Sequence, residues 1–159
     1  MVITRTPYRI SFFGGGTDYP EWYEEHGGSV LVTTINKYCY LTCRYLPPFF
    51  EHKYRVVYSK TELVDSVERI EHPAVRECIK FIGLKHGLEI HHDGDLPKQS
   101  GLGTSSSFVV GLLLALHSLK GEMVGSEQLA REAIHVERQL CHESVGSQDQ
   151  TAAAYGGFN

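Results

Sequence analysis

Residues 97–107 read Pro-Lys-Gln-Ser-Gly-Leu-Gly-Thr-Ser-Ser-Ser and run without a break into Phe-Val-Val-Gly-Leu-Leu-Leu-Ala-Leu at 108–116. A helix made from that second stretch is apolar on nearly every side, so it must lie inside the fold with other elements packed around it. Its start is equally constrained. Gly101 and Gly103 permit a tight backbone, and Thr104 or Ser105 can cap the first turn. Glycines at a helix start let several backbone N–H groups converge on an anion, where the helix dipole adds about half a positive charge. The pattern is not the P-loop, which places a Lys and then Ser or Thr after its last glycine; here Lys98 precedes both glycines. An ordinary capped helix start is the simpler alternative, and the rest of the chain decides between them.

Residues 3–13 read as extended and end in Gly14-Gly15-Gly16, a loop whose backbone can approach a ligand closely. Residues 20–25 form a helical turn closed by Gly27-Gly28. The β-branched and aromatic stretch 29–46 predicts two strands joined near Asn36-Lys37, and 54–58 predicts another. Leu63, Val67 and Ile70 recur at helical spacing and predict a short helix. Pro73 opens a second, with Val75, Cys78, Ile79 and Ile82 on its inner face and Gly87 as its terminator. Residues 88–92 form a strand leading into the glycine loop. Ser126 caps a long helix through Cys141 with Leu129, Ala133, Val136 and Leu140 as its core stripe. Glu137 lies beside that stripe, where a carboxylate needs a cation or metal partner; the alternative is a boundary Glu paired with Arg131 or Arg138. The closing residues Tyr155-Gly156-Gly157-Phe158-Asn159 read as a turn into a further strand.

The chain has 159 residues, enough for one domain, with no repeat or linker. Its apolar runs are too short to cross a bilayer, and no leader is expected in its first residues, where Arg5 and Arg9 fall in a strand-like pattern. A net charge of −4 without a basic stripe argues against nucleic acid or an anionic membrane and for a small-molecule partner. Cys39, Cys43, Cys78 and Cys141 sit in strand- or helix-like segments, as small buried hydrophobes do, which implies reduced thiols and a cytoplasmic setting. His91 and His92 are neighbours on a strand, point to opposite faces and cannot share a metal ion. Cys39 and Cys43 share a face, but no second pair stands at zinc-site spacing.

Three segments together resemble the GHMP kinases: residues 5–19, including Arg9 and Gly14-Gly15-Gly16-Thr17-Asp18; the loop 97–107; and Gly146-Ser147-Gln148-Asp149-Gln150. The resemblance implies an α+β fold like ribosomal protein S5 domain 2, with a left-handed βαβ unit, spanning residues 1–159 as the N-terminal domain. On the same resemblance, the family's C-terminal domain is expected to lie outside residues 1–159. By position, Pro97, Gly101, Leu102, Gly103, Thr104, Ser105 and Ser106 would hold ATP, and Ser105 and Glu137 would hold Mg²⁺. Asp149 would act on the acceptor hydroxyl with Arg9 beside it. Gly14, Gly15, Gly16, Thr17 and Asp18 would meet the sugar. The Gly-Gly-Gly-Thr-Asp form most resembles D-glycero-D-manno-heptose 7-phosphate kinases, which implies transfer to the anomeric hydroxyl of a heptose 7-phosphate. Galactokinases carry Glu and His where this chain has Gly15 and Gly16. The alternatives are a catalytically weak nucleotide- or sugar-binding module, another sugar-1-kinase of the fucokinase or galactokinase type, and a structural S5-like domain that contacts RNA. Lys37, Arg44 and Arg55 are candidates for a substrate phosphate, and the face that would meet a second domain would favour self-association.

Overall fold

Strand alternation sets the architecture. In the computed structural model, which describes residues 1–97 and 100–159, Cys39, Leu41 and Cys43 of β2 (Leu31–Tyr45) and Leu88 and Ile90 of β5 (Leu88–Gly94) are buried on one side of a sheet. Arg44, Glu89 and His91 lie on the other side and pair with one another, since consecutive side chains on a strand alternate in direction. The sheet is completed by β1 (Val2–Phe13), β3 (Tyr54–Val57) and β4 (Thr61–Val64) in the order β1-β2-β5-β3-β4. Only the β3–β5 pair is parallel.

The helices are α1 (Pro20–His26), α2 (Pro73–Ile82), α3 (Thr104–Lys120), α4 (Ser126–His135) and α5 (Gln148–Tyr155). The expected central helix is α3, which packs on β1 and β2 while α2, α4 and α5 pack around it. Val109, Leu112, Leu113 and Leu116 are fully buried there. This two-layer arrangement is the expected α+β class. It brings the N-terminus of α3 to one edge of the molecule, next to β1. No helix among the described residues is long and apolar enough to cross a membrane. The cysteines are free, and burial pushes the Cys39 and Cys43 thiols up to about 12, as expected for packed hydrophobes.

Four local expectations are corrected. The stretch 29–46 is one strand, because β1 pairs with it on both sides of a bulge: Pro7 faces Tyr38 and Arg9 faces Thr34, so the extra β2 residues buckle without reversing the chain. Leu63 lies in strand β4 instead of a helix. Its neighbour Glu62 turns inward, where it accepts from the Glu71 and His72 amides and the Tyr58 hydroxyl, and this leaves Leu63 55% exposed. Helix α2 stops at Gly83, whose positive φ of 72° lets its N–H reach the Ile79 carbonyl, rather than at Gly87. The last long helix ends at His135 and gives way to a π-helical turn at Val136–Leu140, while 148–155 forms a helix of its own. The closing residues do pair with β2: Val32 and Asn159 exchange backbone hydrogen bonds, and the Thr34 N–H donates to Gly157.

Close approach of α3 to the sheet depends on Gly111. A methyl group there would lie 2.5 Å from Thr6 Oγ1 and 3.3 Å from Leu41 Cδ1. We expect Gly111→Ala to lower stability, because overpacking costs about 1–3 kcal/mol against a helix-propensity gain of about 1 kcal/mol. Urea unfolding checks this, and Thr6→Ala in the same background should restore part of the loss by removing the hydroxyl that the methyl meets.

Candidate active site

Three distant parts of the chain converge at the start of α3. Gly101 and Gly103 both take left-handed backbone, with φ of 74° and 72°, and Gly103 stands at the N-cap without a side chain to close it. Helix geometry leaves the first N–H groups of α3 without intrahelical partners, so they form a cradle for an anion. The loop is tied to β1 by the Arg9 N–H, which donates to the Leu102 carbonyl at 3.0 Å. Pro97 and Leu102 border the loop; Lys98 and Gln99 lie outside the described residues.

The Arg9 side chain then links the loop to α5. Its Nη1 donates to the Gly101 carbonyl at 2.8 Å, while Nε and Nη2 donate to Oδ1 and Oδ2 of Asp149 at 2.7 and 2.8 Å. This is a two-pronged guanidinium–carboxylate contact, which fixes the orientation of both groups. Gly103 lies against the pair, where a side chain would come within 3.1 Å of Arg9 Cγ and 3.4 Å of Asp149 Oδ2. The Asp149 carboxylate stays 26% exposed, on the open side of the cradle.

Glu137 enters from the π-helical turn, a distortion that often marks functional sites. It is 1% exposed and receives hydrogen bonds only from neutral groups: the Ser106 hydroxyl at 3.0 and 3.1 Å and the Gln150 amide. Burial pushes its carboxyl up to about 7. Gln150 is itself fully buried, and its Oε1 has no partner among the described residues. One carboxylate, a hydroxyl and an unpaired amide oxygen thus gather beneath the first turn of α3. That donor set fits Mg²⁺, which takes one or two carboxylates and completes its shell with phosphate and water. Among the described residues no group of three or more His, Cys, Asp or Glu forms an all-protein cage.

The hydroxyl at Glu137 belongs to Ser106 and not to Ser105. The helical step turns Ser105 outward, where with Thr104 it lines a cleft of about 230 Å³ walled by Tyr8, His72, His92, Leu96 and Phe108. In the loop after β1, Thr17 Oγ1 donates to the Gly14 carbonyl at 2.8 Å, and a side chain on Gly14 would overlap the Ser29 carbonyl, so these two residues shape the loop from within. Gly16 faces open space, while a side chain on Gly15 would meet the Gln148 amide at 3.4 Å and Ser11 Oγ at 3.6 Å. Asp18 departs from its expected role toward a sugar. Its carboxylate is 6% exposed and already accepts the N–H groups of Gly16, Ser147 and Gln148. Arg44 and Arg55 pair with Glu89 on the outer side of the sheet, away from α3, and Lys37 is exposed in the β2 bulge. Sequence reasoning gives Gly146 and Gln150 no role beyond membership of the last motif, and Arg138 only the alternative of an ion pair with Glu137, whereas Arg138 in fact donates to the Val145 and Asp18 carbonyls. The only signal for these three residues was their position, beside Asp149 in the last motif and beside Glu137.

The description "GHMP kinases N terminal domain" matches residues 67–157. The chain is 31% identical over 98% of its length to D-glycero-alpha-D-manno-heptose 7-phosphate kinase of Campylobacter jejuni, covering 49% of that protein. It is 27% identical over 98% of its length to galactokinase of Pyrococcus furiosus, covering 44%. The chain therefore spans about half the length of these curated relatives. A crystal structure of D-glycero-D-manno-heptose 1-phosphate kinase from Bacteroides thetaiotaomicron matches it with a TM-score of 0.89 and 30% identity, over 100% of this chain and 55% of that one.

Glu137 carries a pH signature. Its carboxyl rises from 4.5 to about 7 on folding, so its contribution to stability is fully present below the unfolded value and is lost as pH rises through about 7. We expect Glu137→Gln to be more stable than the parent chain at about pH 8, by up to about 3 kcal/mol, and to lose that advantage near pH 4.5. Urea unfolding at both ends of the range checks this; an unchanged difference would mean that the carboxyl is not perturbed.

Proposed function

The chain belongs to the GHMP kinases, and we propose that it binds ATP with Mg²⁺ and directs the γ-phosphoryl group to a sugar hydroxyl, the anomeric hydroxyl of a heptose 7-phosphate. The observation that carries this reading is the Arg9–Asp149 pair held against the uncapped start of α3. Backbone N–H groups at Thr104, Ser105 and Ser106 would receive the nucleotide phosphates, and the neighbouring cleft, with Phe108, Tyr8 and His72 in its walls, would receive the base. Glu137 and Ser106 would hold the cation, which supplies neutralisation of the phosphate charge when bound.

The acceptor sugar would lie over Gly15 and Gly16. Where galactokinases carry Glu and His this chain has these two glycines, so neither position presents a side chain to the acceptor. The attacking hydroxyl oxygen bonds to the γ-phosphorus, the bond to the β-phosphate oxygen breaks, and the hydroxyl proton passes to Asp149 and on to solvent as ADP leaves. Arg9 keeps both oxygens of Asp149 in place and sets a positive charge beside the group in transit.

We expect ATP with Mg²⁺ to raise the melting temperature of the chain, with a stabilisation of about 2.7 kcal/mol at roughly 100 times Kd. Asp149→Asn should keep that response while lowering phosphoryl transfer to a sugar panel about 10²-fold or more. Differential scanning fluorimetry and transfer from labelled ATP measure the two quantities. An absent thermal response would remove the nucleotide site, and undiminished transfer in Asp149→Asn would remove Asp149 from the reaction.

A further inference from the structure

We infer that Asp18 is a positioning residue: its buried carboxylate, admitted by Gly146, fixes the first turn of α5 and thereby aims Asp149 at the cradle. The inference rests on the role proposed above for Asp149, but its structural half stands without it.

Helix α5 has eight residues, too few to be stable by themselves, and its N-cap Ser147 makes no side-chain cap. The helix start is instead held from a point 129 residues earlier in the chain: Asp18 Oδ2 accepts the Ser147 N–H at 2.8 Å and the Gln148 N–H at 3.0 Å. Oδ1 accepts the Gly16 N–H at 3.1 Å. A carboxylate offers about four lone-pair directions, and three are taken by backbone amides, which leaves it poorly placed to read sugar hydroxyls. A negative charge at the N-terminus of a helix is also favoured by the helix dipole. Asp149 is the residue after Gln148, so the direction of its side chain follows from where this turn begins.

Two further contacts serve the same end. A side chain on Gly146 would overlap Asp18 Oδ2 and Cγ, so glycine is the only residue that admits the carboxylate. Arg138 donates through Nε to the Val145 carbonyl at 2.8 Å and through Nη2 to the Asp18 carbonyl at 3.3 Å. Arg138 follows Glu137 directly, so the same clamp spans the segment between the two site carboxylates. Asp18 thus joins the loop after β1 to α5, parallel to the link that Arg9 makes from β1 itself.

Hydrogen exchange and ¹⁵N NMR on the whole chain test the structural half. In Asp18→Ala we expect the Ser147 and Gln148 amides to lose protection, and the Arg9 Nε–H, which donates to Asp149, to exchange at least about tenfold faster. Gly146→Ala should reproduce this although it leaves Asp18 intact. Asp18→Asn, whose carbonyl can still accept both α5 amides, should largely restore it, which guards against a general loss of folding. Unchanged exchange at Ser147, Gln148 and Arg9 would overturn the inference.

Transfer kinetics test the rest. Asp18→Ala and Gly146→Ala should each lower kcat about tenfold or more while moving the sugar KM by less than about threefold, and together they should be no worse than either alone. A raised sugar KM with unchanged kcat in Asp18→Ala, absent from Gly146→Ala, would make Asp18 a sugar ligand and overturn the inference. If the exchange effects appear while Asp149→Asn leaves transfer intact, the clamp stands and the proposed role of Asp149 falls.

Discussion

The guanidinium of Arg9 is the contact on which the site depends. Its five donors in a fixed plane allow it to hold the Gly101 carbonyl and both oxygens of Asp149 at once, and its own N–H holds Leu102. A lysine could not span these acceptors, because an ammonium group is a single point charge without a fork. Through this residue a strand, a glycine loop and a helix 140 residues downstream acquire one geometry. Gly103 is part of the same constraint, since any side chain there would press on the pair it faces.

The scaffold beneath makes that precision possible. Helix α3 is buried from Ser106 through His117 except at Leu114, which anchors its more exposed first residues to the core, and Gly111 lets it lie close to β1, the strand that carries Arg9. The site itself carries local strain and poorly matched groups. Glu137 sits in a π-helical turn, His142 follows with a positive φ of 56°, and the Gln150 carbonyl has no partner among the described residues. Such features persist only where surrounding packing holds them, and these three fall within residues 136–150, the stretch that carries both site carboxylates.

What could be read from the residues alone followed the range over which their causes act. The buried helix, its glycine start and the inward lean of Glu137 were legible because periodicity and cap chemistry are local. The strand at Leu63 was not: its apolar spacing fits a helix equally well, and the deciding factor is Glu62 folding inward onto amides at Glu71 and His72. Ser105 and Ser106 are indistinguishable as residue types, and only the phase of α3 shows which one meets Glu137. Asp18 reads as a sugar ligand through its place in the Gly-Gly-Gly-Thr-Asp motif, and the Gly16 N–H is its one partner nearby in sequence. Its other partners are the amides at Ser147 and Gln148, which lie beyond any local pattern.

Asp18 and Glu137 show how the same chemistry serves opposite ends. Both are carboxylates removed from water, and neither is paired with a cation among the described residues. Asp18 is surrounded by three backbone N–H groups, which replace its hydration and leave it no further demand. Glu137 has only a hydroxyl and an amide, too little to compensate burial, and its carboxyl rises to about 7 as a result. A fully satisfied carboxylate serves to hold structure in place. An under-served one costs stability when it is charged, which is what a role as the proposed cation ligand would require. Glu137 and the two α5 amides that Asp18 holds lie at opposite ends of the segment 137–148, so both carboxylates bear on the same stretch of backbone.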